Sequence, residues 1–555
     1  MPQSVRVPFR LPLRPLALGG TALLLIGCAP LASVREIPPA SPVAFVVNQD
    51  NARLKQARLD LAAAQADGTA PLDAMAESES AALLSLQALG DLSGRRADEA
   101  IALYNSAVAR LVEATLASGE KPWEHPVRLP GPHGPLWLTL TSCGRAYLPG
   151  ADHLRAADRM ELGGTHFTDR VRIDGVGAPF VSSGAARPEP WSTTQHYYGI
   201  TAELIASGNQ ATLEILDPLE TTSIELAGKE RPVAADLSAP LALGITETRI
   251  DTFGLQRLFR TDRFMSTAKL MMLGPYRPNR TPLIFIHGLG DAPVTFAALV
   301  NGLSANPDIR RNYQFWVFQY PSGLPFPLSA ELLRKELNEV YKKYPATPPA
   351  TLIGHSMGGL VTDLLVRDSG TQYIHDVLGK PIEKFQLPPD QAKLIQDCLI
   401  FHASPQVARA IFIATPHRGA AMASGPLGRF GASLVRLPGD LLMVGPKIIS
   451  QMNATPGEKL LERFPNSIDT LRPNARVIVA LDRLPIDSGV AYYSVIGKEG
   501  DGDLLTSSDG IVPYTSAHLD GARDEVVVPY GHSYVQSSPP CIAEIQRILQ
   551  NSPRN

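Results

Sequence analysis

Thr351-Leu352-Ile353-Gly354-His355-Ser356-Met357-Gly358-Gly359-Leu360-Val361-Thr362-Asp363-Leu364-Leu365 carries two kinds of regular structure and a sharp junction between them. The apolar and β-branched start reads as a buried strand, the glycines around Ser356 as a tight turn, and the run from Leu360 as a helix. A turn this tight forces its serine into a strained backbone conformation and admits only small neighbours. The following helix N-terminus favours negative charge beside that serine. A strand feeding a helix through such a turn is the unit of an α/β fold.

The pattern extends in both directions. Pro282-Leu283-Ile284-Phe285-Ile286 and Ala410-Ile411-Phe412-Ile413-Ala414 are short continuous apolar runs, as in a sheet buried on both faces. The helical stretch from Leu328 to Tyr344 lies between them. This alternation over roughly the last 280 residues predicts a mostly parallel sheet with right-handed crossovers.

A serine hydroxyl is a poor nucleophile without a base, and the base needs an orienting acid. Downstream, the strand-like Tyr492-Tyr493-Ser494-Val495-Ile496 precedes Ser508-Asp509-Gly510-Ile511-Val512-Pro513. Asp524-Glu525-Val526-Val527-Val528 reads as a last strand leading into Tyr530-Gly531-His532-Ser533. Asp509 and His532 are thus expected just beyond consecutive strands, at the carboxyl edge of the sheet, with Ser356. Asp501 and Asp503 in the same loop compete with Asp509 for the acid, and His518 is a weaker base because it precedes the final strand. Acyl transfer also needs donors for an oxyanion. The Met357 N–H, directly after the serine, is one candidate. The Leu289 N–H in His287-Gly288-Leu289-Gly290 is the other. His287 is expected to pack and orient that loop.

Together these motifs, with Ala414-Thr415-Pro416-His417-Arg418-Gly419, resemble the lipase and esterase branch of the α/β-hydrolase superfamily, over roughly residues 276–555. The resemblance implies an α/β-hydrolase fold, serine-dependent cleavage of carboxylic esters through an acyl-enzyme on Ser356, and no redox or nucleotide cofactor. It implies a structural role for His417. The same parts would serve a thioesterase or an acyltransferase, and a non-catalytic scaffold lipoprotein is a competing class. The resemblance says nothing of residues 51–260. An apolar insertion at 420–452, with Phe430, Leu434, Leu441, Leu442, Met443 and Ile449, reads equally as a mobile cap or as a fixed buried insertion.

The remaining chain divides by composition. Residues 1–27 carry Arg6, Arg10 and Arg14, no acid, and then an apolar stretch from Leu16 to Ile26, the build of a secretory signal. Leu25-Ile26-Gly27-Cys28 resembles the lipobox of bacterial lipoproteins, which implies lipidation of Cys28, with an ordinary cleaved signal as the other reading. Ala29 in place of an aspartate then implies a bacterial cell-envelope location at the outer membrane, held by the lipid anchor. Residues 28–50, with Pro30, Pro38, Pro39 and Pro42, read as an extended tether. Residues 51–122 read as helical, with Ile101, Tyr104, Val108 and Leu111 on one stripe, Asp98 a plausible N-cap and Gly119 a stop. That region is either a packing element or a partner-binding array. Residues 123–260 read as a small antiparallel β-rich domain, from runs such as 136–141, 196–201 and 211–216.

Bulk composition narrows the classes. With 555 residues the chain exceeds one core. Its 51 Lys+Arg against 54 Asp+Glu give a net charge of −3, falling to −6 once the three arginines of 1–27 are removed. A nucleic-acid binder would carry a basic excess, so none is expected as a partner. Of four cysteines, Cys143, Cys398 and Cys541 remain if Cys28 is lipidated, and Cys398–Cys541 is the pair an exported location would permit. No Cys-x-x-Cys or His-x-x-x-His cluster argues for a metal.

Overall fold

The computed structural model describes residues 30–41, 51–130, 135–142, 146–167, 169–185, 187, 190–248, 254–439, 441, 451 and 465–551. The signal segment 1–27, Cys28 and Cys143 lie outside the described residues, as does much of the second half of the 420–452 insertion.

Three helices open the described chain after the tether: α1 (Ala52–Ala64), α2 (Pro71–Leu89) and α3 (Arg95–Ser118). Asn51 caps α1 by accepting from the Leu54 N–H at 3.1 Å. In α3 the stripe of Tyr104, Val108 and Leu111 is buried as its spacing predicts, and Gly119 ends the helix at φ +76°. The start differs from expectation. Gly94, at φ +58°, occupies the N-cap, and Asp98 lies one turn inside.

These helices cover a six-stranded sheet: β1 (Val127–Leu129), β2 (Leu136–Ser142), β3 (His153–Ala156), β4 (Ala178–Ala185), β5 (Gln195–Ser207) and β6 (Gln210–Leu216). The spatial order is β1-β2-β6-β5-β4-β3. The sheet is antiparallel except that β2 and β6 run parallel, which the all-antiparallel expectation missed. Helices and sheet share one core, so the boundary expected at 122/123 falls inside a single packed unit. The Tyr104 hydroxyl pins the two layers, accepting from the Leu204 N–H at 2.8 Å and donating to the Leu204 carbonyl at 3.1 Å. The strands end before residue 239. The rest of the expected β-rich segment is helical, as α4 (Ala239–Thr248) and the short turns of helix at Gly254–Phe259 and Thr261–Phe264.

The tether is extended, but it is not a free spacer. Ser33–Glu36 pairs antiparallel with Met160–Gly163. The Thr165 and His166 amides donate to the carbonyls of Pro30 and Leu31. Glycine receives this strand for a steric reason: a Cβ on Gly164 would stand 2.5 Å from the Leu31 carbonyl oxygen.

The C-terminal half is built on a seven-stranded sheet: β7 (Lys269–Met272), β8 (Thr281–Ile286), β9 (Tyr313–Gln319), β10 (Ala350–His355), β11 (Val407–Ile413), β12 (Ala491–Gly497) and β13 (Glu525–Val528). The order is β7-β9-β8-β10-β11-β12-β13, all parallel except the edge strand β7. Alternate residues face opposite ways. Ile284, Ile286 and Leu352 pack on one side with α6 (Phe326–Lys343) and α7 (Met357–Asp363). Leu283, Phe285 and Ile353 pack on the other with α5 (Ala297–Ala305) and α8 (Pro539–Gln550). This is an α/β layered fold, as the sequence implied.

The same layering corrects the expected disulfide. Cys541, on α8, is buried in the core of one face, whereas Cys398 packs against the core of the other. Both are free thiols with the sheet between them, and burial pushes the Cys398 thiol up to about 12. In the insertion, Pro426–Leu434 is helical with Phe430 and Leu434 exposed, while Val435, Leu437 and Leu441 are buried in the core. Among the described residues no helix is long and apolar enough to cross a membrane.

Candidate active site

The junction between β10 and α7 sets the site. Ser356 has φ +54° and ψ −125°, a left-handed conformation that costs a non-glycine residue on the order of 1–3 kcal/mol. Two backbone hydrogen bonds hold it there: the Ser356 N–H donates to Ile413 O and the Gly359 N–H to Ser356 O, both at 2.9 Å. The neighbouring glycines are demanded by contact. A Cβ on Gly354 would stand 2.5 Å from the Gly358 carbonyl oxygen, one on Gly358 would fall on the Ile286 carbonyl, and one on Gly359 on the Thr415 side chain.

Loops leaving three other strands converge on this serine. After β13, His532 begins a short 3-10 helix (His532–Ser537) and places its Nε2 2.8 Å from Ser356 Oγ. After β12, Asp509 places Oδ2 2.7 Å from His532 Nδ1. Asp509 is buried, and its Oδ1 accepts from the Ile511 and Val512 amides at 3.0 and 2.7 Å. Its backbone carbonyl accepts from the His532 N–H at 2.9 Å. With Asp509 Oδ1 occupied by two amides and Oδ2 facing His532, the imidazole is held as the Nδ1–H tautomer, with the Nε2 lone pair aimed at the serine. The structure therefore brings Ser356, Asp509 and His532 together.

The rivals lie elsewhere. Asp501 and Asp503 are exposed, and Asp503 caps its own loop by accepting from the Leu505 N–H at 2.9 Å. His518 bonds Glu525 at 2.8 Å and Asp520 at 3.1 Å, and these carboxylates raise its pKa. His417 is buried against Asp363 at 3.1 Å, which also holds Arg367.

After β8, the loop His287-Gly288-Leu289-Gly290 passes over the serine, so closely that a Cβ on Gly288 would stand 3.0 Å from Ser356 Cβ. His287 is fully buried, stacked on Tyr320, and its Nδ1 donates to Gly288 O at 3.0 Å. Desolvation lowers its pKa to about 4, so it holds the loop as a neutral ring. Leu289 N–H is presented by this loop, and Met357 N–H is one of the amides at the start of α7 that no helical carbonyl can reach.

Two residues beside the site carried no local signal. His355 donates from Nε2 to the His532 carbonyl at 3.0 Å, its ring 5.1 Å from that of His532. Burial and the neighbouring His532 lower its pKa to about 3, which keeps a second positive charge away from the triad geometry. Asp291 directly follows the His287–Gly290 loop. Burial raises its carboxyl to about 6, against the opposing pull of its backbone and Thr295 hydrogen bonds and of His532. Gln536, just after His532, bonds Thr295 at 2.6 Å and ties this loop to the histidine segment. Among the described residues no group of three or more His, Cys, Asp or Glu is placed to hold a metal ion.

No protein-family model matches the chain, and no curated protein matches it. Solved structures similar to it cover about half of it. The mature lipase BlEst2 of Bacillus licheniformis is 14% identical, the match covering 49% of this chain and 93% of that one, with a TM-score of 0.31. The metagenomic carboxyl esterase MGS0156 is 16% identical over 50% of this chain and 77% of that one, with a TM-score of 0.29. The esterase RhEst1 from Rhodococcus sp. ECU1013 is 14% identical over 51% and 94%, with a TM-score of 0.27.

Proposed function

We propose that this chain is a serine hydrolase of the lipase and esterase kind that cleaves carboxylic esters, with a lipidic acyl group favoured. The observation that carries the reading is the continuous relay from Ser356 Oγ to His532 Nε2 at 2.8 Å and from His532 Nδ1 to Asp509 at 2.7 Å. His532 takes the serine proton as Oγ attacks the ester carbonyl, and Asp509 stabilises the imidazolium. The Leu289 and Met357 amides hold the oxyanion, each donor contributing about 3 kcal/mol to the transition state. His532 then returns the proton to the departing alkoxide and activates the water that releases the acyl group.

The preference for a lipidic acyl group is supported by the rim. Met422, Phe430, Leu434, Leu505 and Tyr534 are large and exposed, on helical segments that follow β11, β12 and β13 beyond the carboxyl edge of the sheet. Exposed apolar side chains beyond the edge that carries Ser356 suit an apolar acyl group. We extend the proposal to a lipid anchor at Cys28 and a place at the bacterial outer membrane. Cys28 precedes the docked Pro30 by two residues, at most about 7 Å of chain, so such an anchor would hold the protein body against the bilayer.

Fluorophosphonate labelling tests the chemistry. Wild-type protein should label at Ser356 and Ser356→Ala should not; an unlabelled wild type would overturn the hydrolase reading. A p-nitrophenyl ester series should favour decanoyl over acetyl, and the reverse order would remove the lipidic preference. Cys28→Ser should move the protein from the membrane to the soluble fraction.

A further inference from the structure

Between the helix-covered sheet and the catalytic sheet lies a cavity of about 640 Å³, within the ~300–1,000 Å³ range of small-molecule sites. None of Ser356, Asp509, His532, Leu289 and Met357 lines it, so it is a space apart from the serine. Leu241 and Ile245 of α4 line it together with Met271, Val294, Val300 and Phe315 of the C-terminal half. Such walls reward an alkyl chain and offer little to a polar ligand.

Arg257 lines the same cavity at 7% exposure. Its guanidinium lies over the Phe264 ring, 5.8 Å from the centroid, but its Nε and Nη1 are buried without a hydrogen-bond partner, and it forms no ion pair among the described residues. The other arginines on the cavity are satisfied. Arg277 bonds Asp217 at 2.7 Å, Arg280 bonds the Leu219 carbonyl at 2.5 Å and Glu220 at 3.2 Å, and Arg310 bonds the carbonyls of Ser304 and Ala305. A desolvated guanidinium is tolerated when an anion answers it. Here no carboxylate among the described residues pairs with Arg257, and a mostly apolar cavity lies beside it.

We propose that this cavity binds a long-chain carboxylate, its head on Arg257 and its alkyl chain along the Leu241–Ile245 and Val294–Val300 walls. The site joins a fixed cation, which reads the charged head, to a surface that reads chain length. It is independent of turnover at Ser356.

The test titrates the whole chain, carrying Ser356→Ala and held in amphipol, with [1-¹³C]laurate, using free amphipol as the blank. The expected result is one saturable protein-bound carboxylate signal, weakened at least tenfold by Arg257→Met, retained within about threefold by Arg257→Lys, and lost in Val300→Trp. Arg257→Met should melt within a few degrees of its parent, because the charge it removes is set against the Phe264 ring alone among the described residues. Dodecyltrimethylammonium, with a similar chain and the opposite charge, should not displace laurate. That arm needs no cavity variant to fold. Absence of saturable binding, undiminished binding by Arg257→Met, or equal competition by the cationic amphiphile would each overturn the proposal. Because hydrolysis is never read, failure here is distinguishable from failure of the hydrolase reading.

Discussion

Replacing Asp509 with asparagine changes a single atom type, and the surrounding hydrogen bonds dictate which way the new amide must point. Asp509 Oδ1 accepts from the Ile511 and Val512 amides, and Oδ2 from His532 Nδ1. If the asparagine NH2 faced the two backbone amides, two buried donors would be left facing a donor, at about 1–3 kcal/mol each. With the NH2 turned to His532 instead, both amides keep their acceptor. The second arrangement wins, and it presents a donor to Nδ1. The imidazole must then carry its proton on Nε2, the atom 2.8 Å from Ser356 Oγ, and can no longer accept from the serine. A wrong tautomer of this kind costs about 10⁴ in turnover, or roughly 5.5 kcal/mol.

The fold should barely register the change, since the buried loop keeps its acceptor and loses only a charge-assisted bond. Asp509→Asn is therefore expected to melt within a few degrees of wild type while hydrolysing p-nitrophenyl esters about 10⁴-fold more slowly. Asp503→Asn, on an exposed residue that caps its own loop, should leave the rate unchanged. Turnover by Asp509→Asn within tenfold of wild type, at equal folded fraction, would refute the tautomer argument. An equal loss in Asp503→Asn would refute the choice of acid.

Because Ser356 sits at φ +54°, Ser356→Gly should be more stable than Ser356→Ala by about 1 kcal/mol in chemical denaturation, and equal stability would remove the strained turn. Gly358→Ala drives a Cβ onto the Ile286 carbonyl, so a loss of about 1–3 kcal/mol and of ester hydrolysis together is expected from a melt and a rate assay. Glu79 is buried on α2 with Oε1 unpartnered, and burial raises its carboxyl from 4.5 to about 7. The unfolded chain releases that proton first, so stability falls as pH rises from about 4.5 through 7 and stays low above. Glu79→Gln should remove this fall and gain on the order of 3 kcal/mol at pH 8, but little at pH 4, in urea unfolding at the two pH values.

What could be read along the chain was what local rules control. The turn at Ser356 needs glycines within three residues on either side. The acid and the base follow strands whose apolar runs are continuous, so the order serine, aspartate, histidine emerged from short windows. What escaped depends on distant partners. Ser33–Glu36 is four residues long and follows a proline, which reads as a spacer; its partner strand begins at Met160, and the glycine pair 163–164 was the available signal. The parallel pairing of β2 with β6 joins segments about seventy residues apart, and alternation says nothing of strand direction. The expected Cys398–Cys541 bridge failed because two helices near in topology lie on opposite faces of one sheet. Asp291 shows no periodicity, and only folding brings it to His532.

The helix-covered sheet is more than a spacer, because its contacts end on parts of the catalytic half that shape the site. The Met272 N–H donates to the Trp191 carbonyl at 2.8 Å, and Trp191 Nε1 donates to Glu336 on α6 at 2.9 Å, so the edge strand β7 is held from outside its own sheet. The chain then crosses through α4 to Gly254–Phe259, which lies on the oxyanion loop; a Cβ on Gly254 would stand 2.7 Å from the Gly290 carbonyl oxygen. Gly290 in turn donates to Ser322 Oγ at 2.9 Å, beyond β9. A loop that must hold an amide toward an oxyanion to within a fraction of an ångström gains from such bracing on both sides. Leu241 and Ile245 of α4 and Arg257 of the segment that abuts Gly290 also line the cavity, so the same elements brace the loop and bound that space.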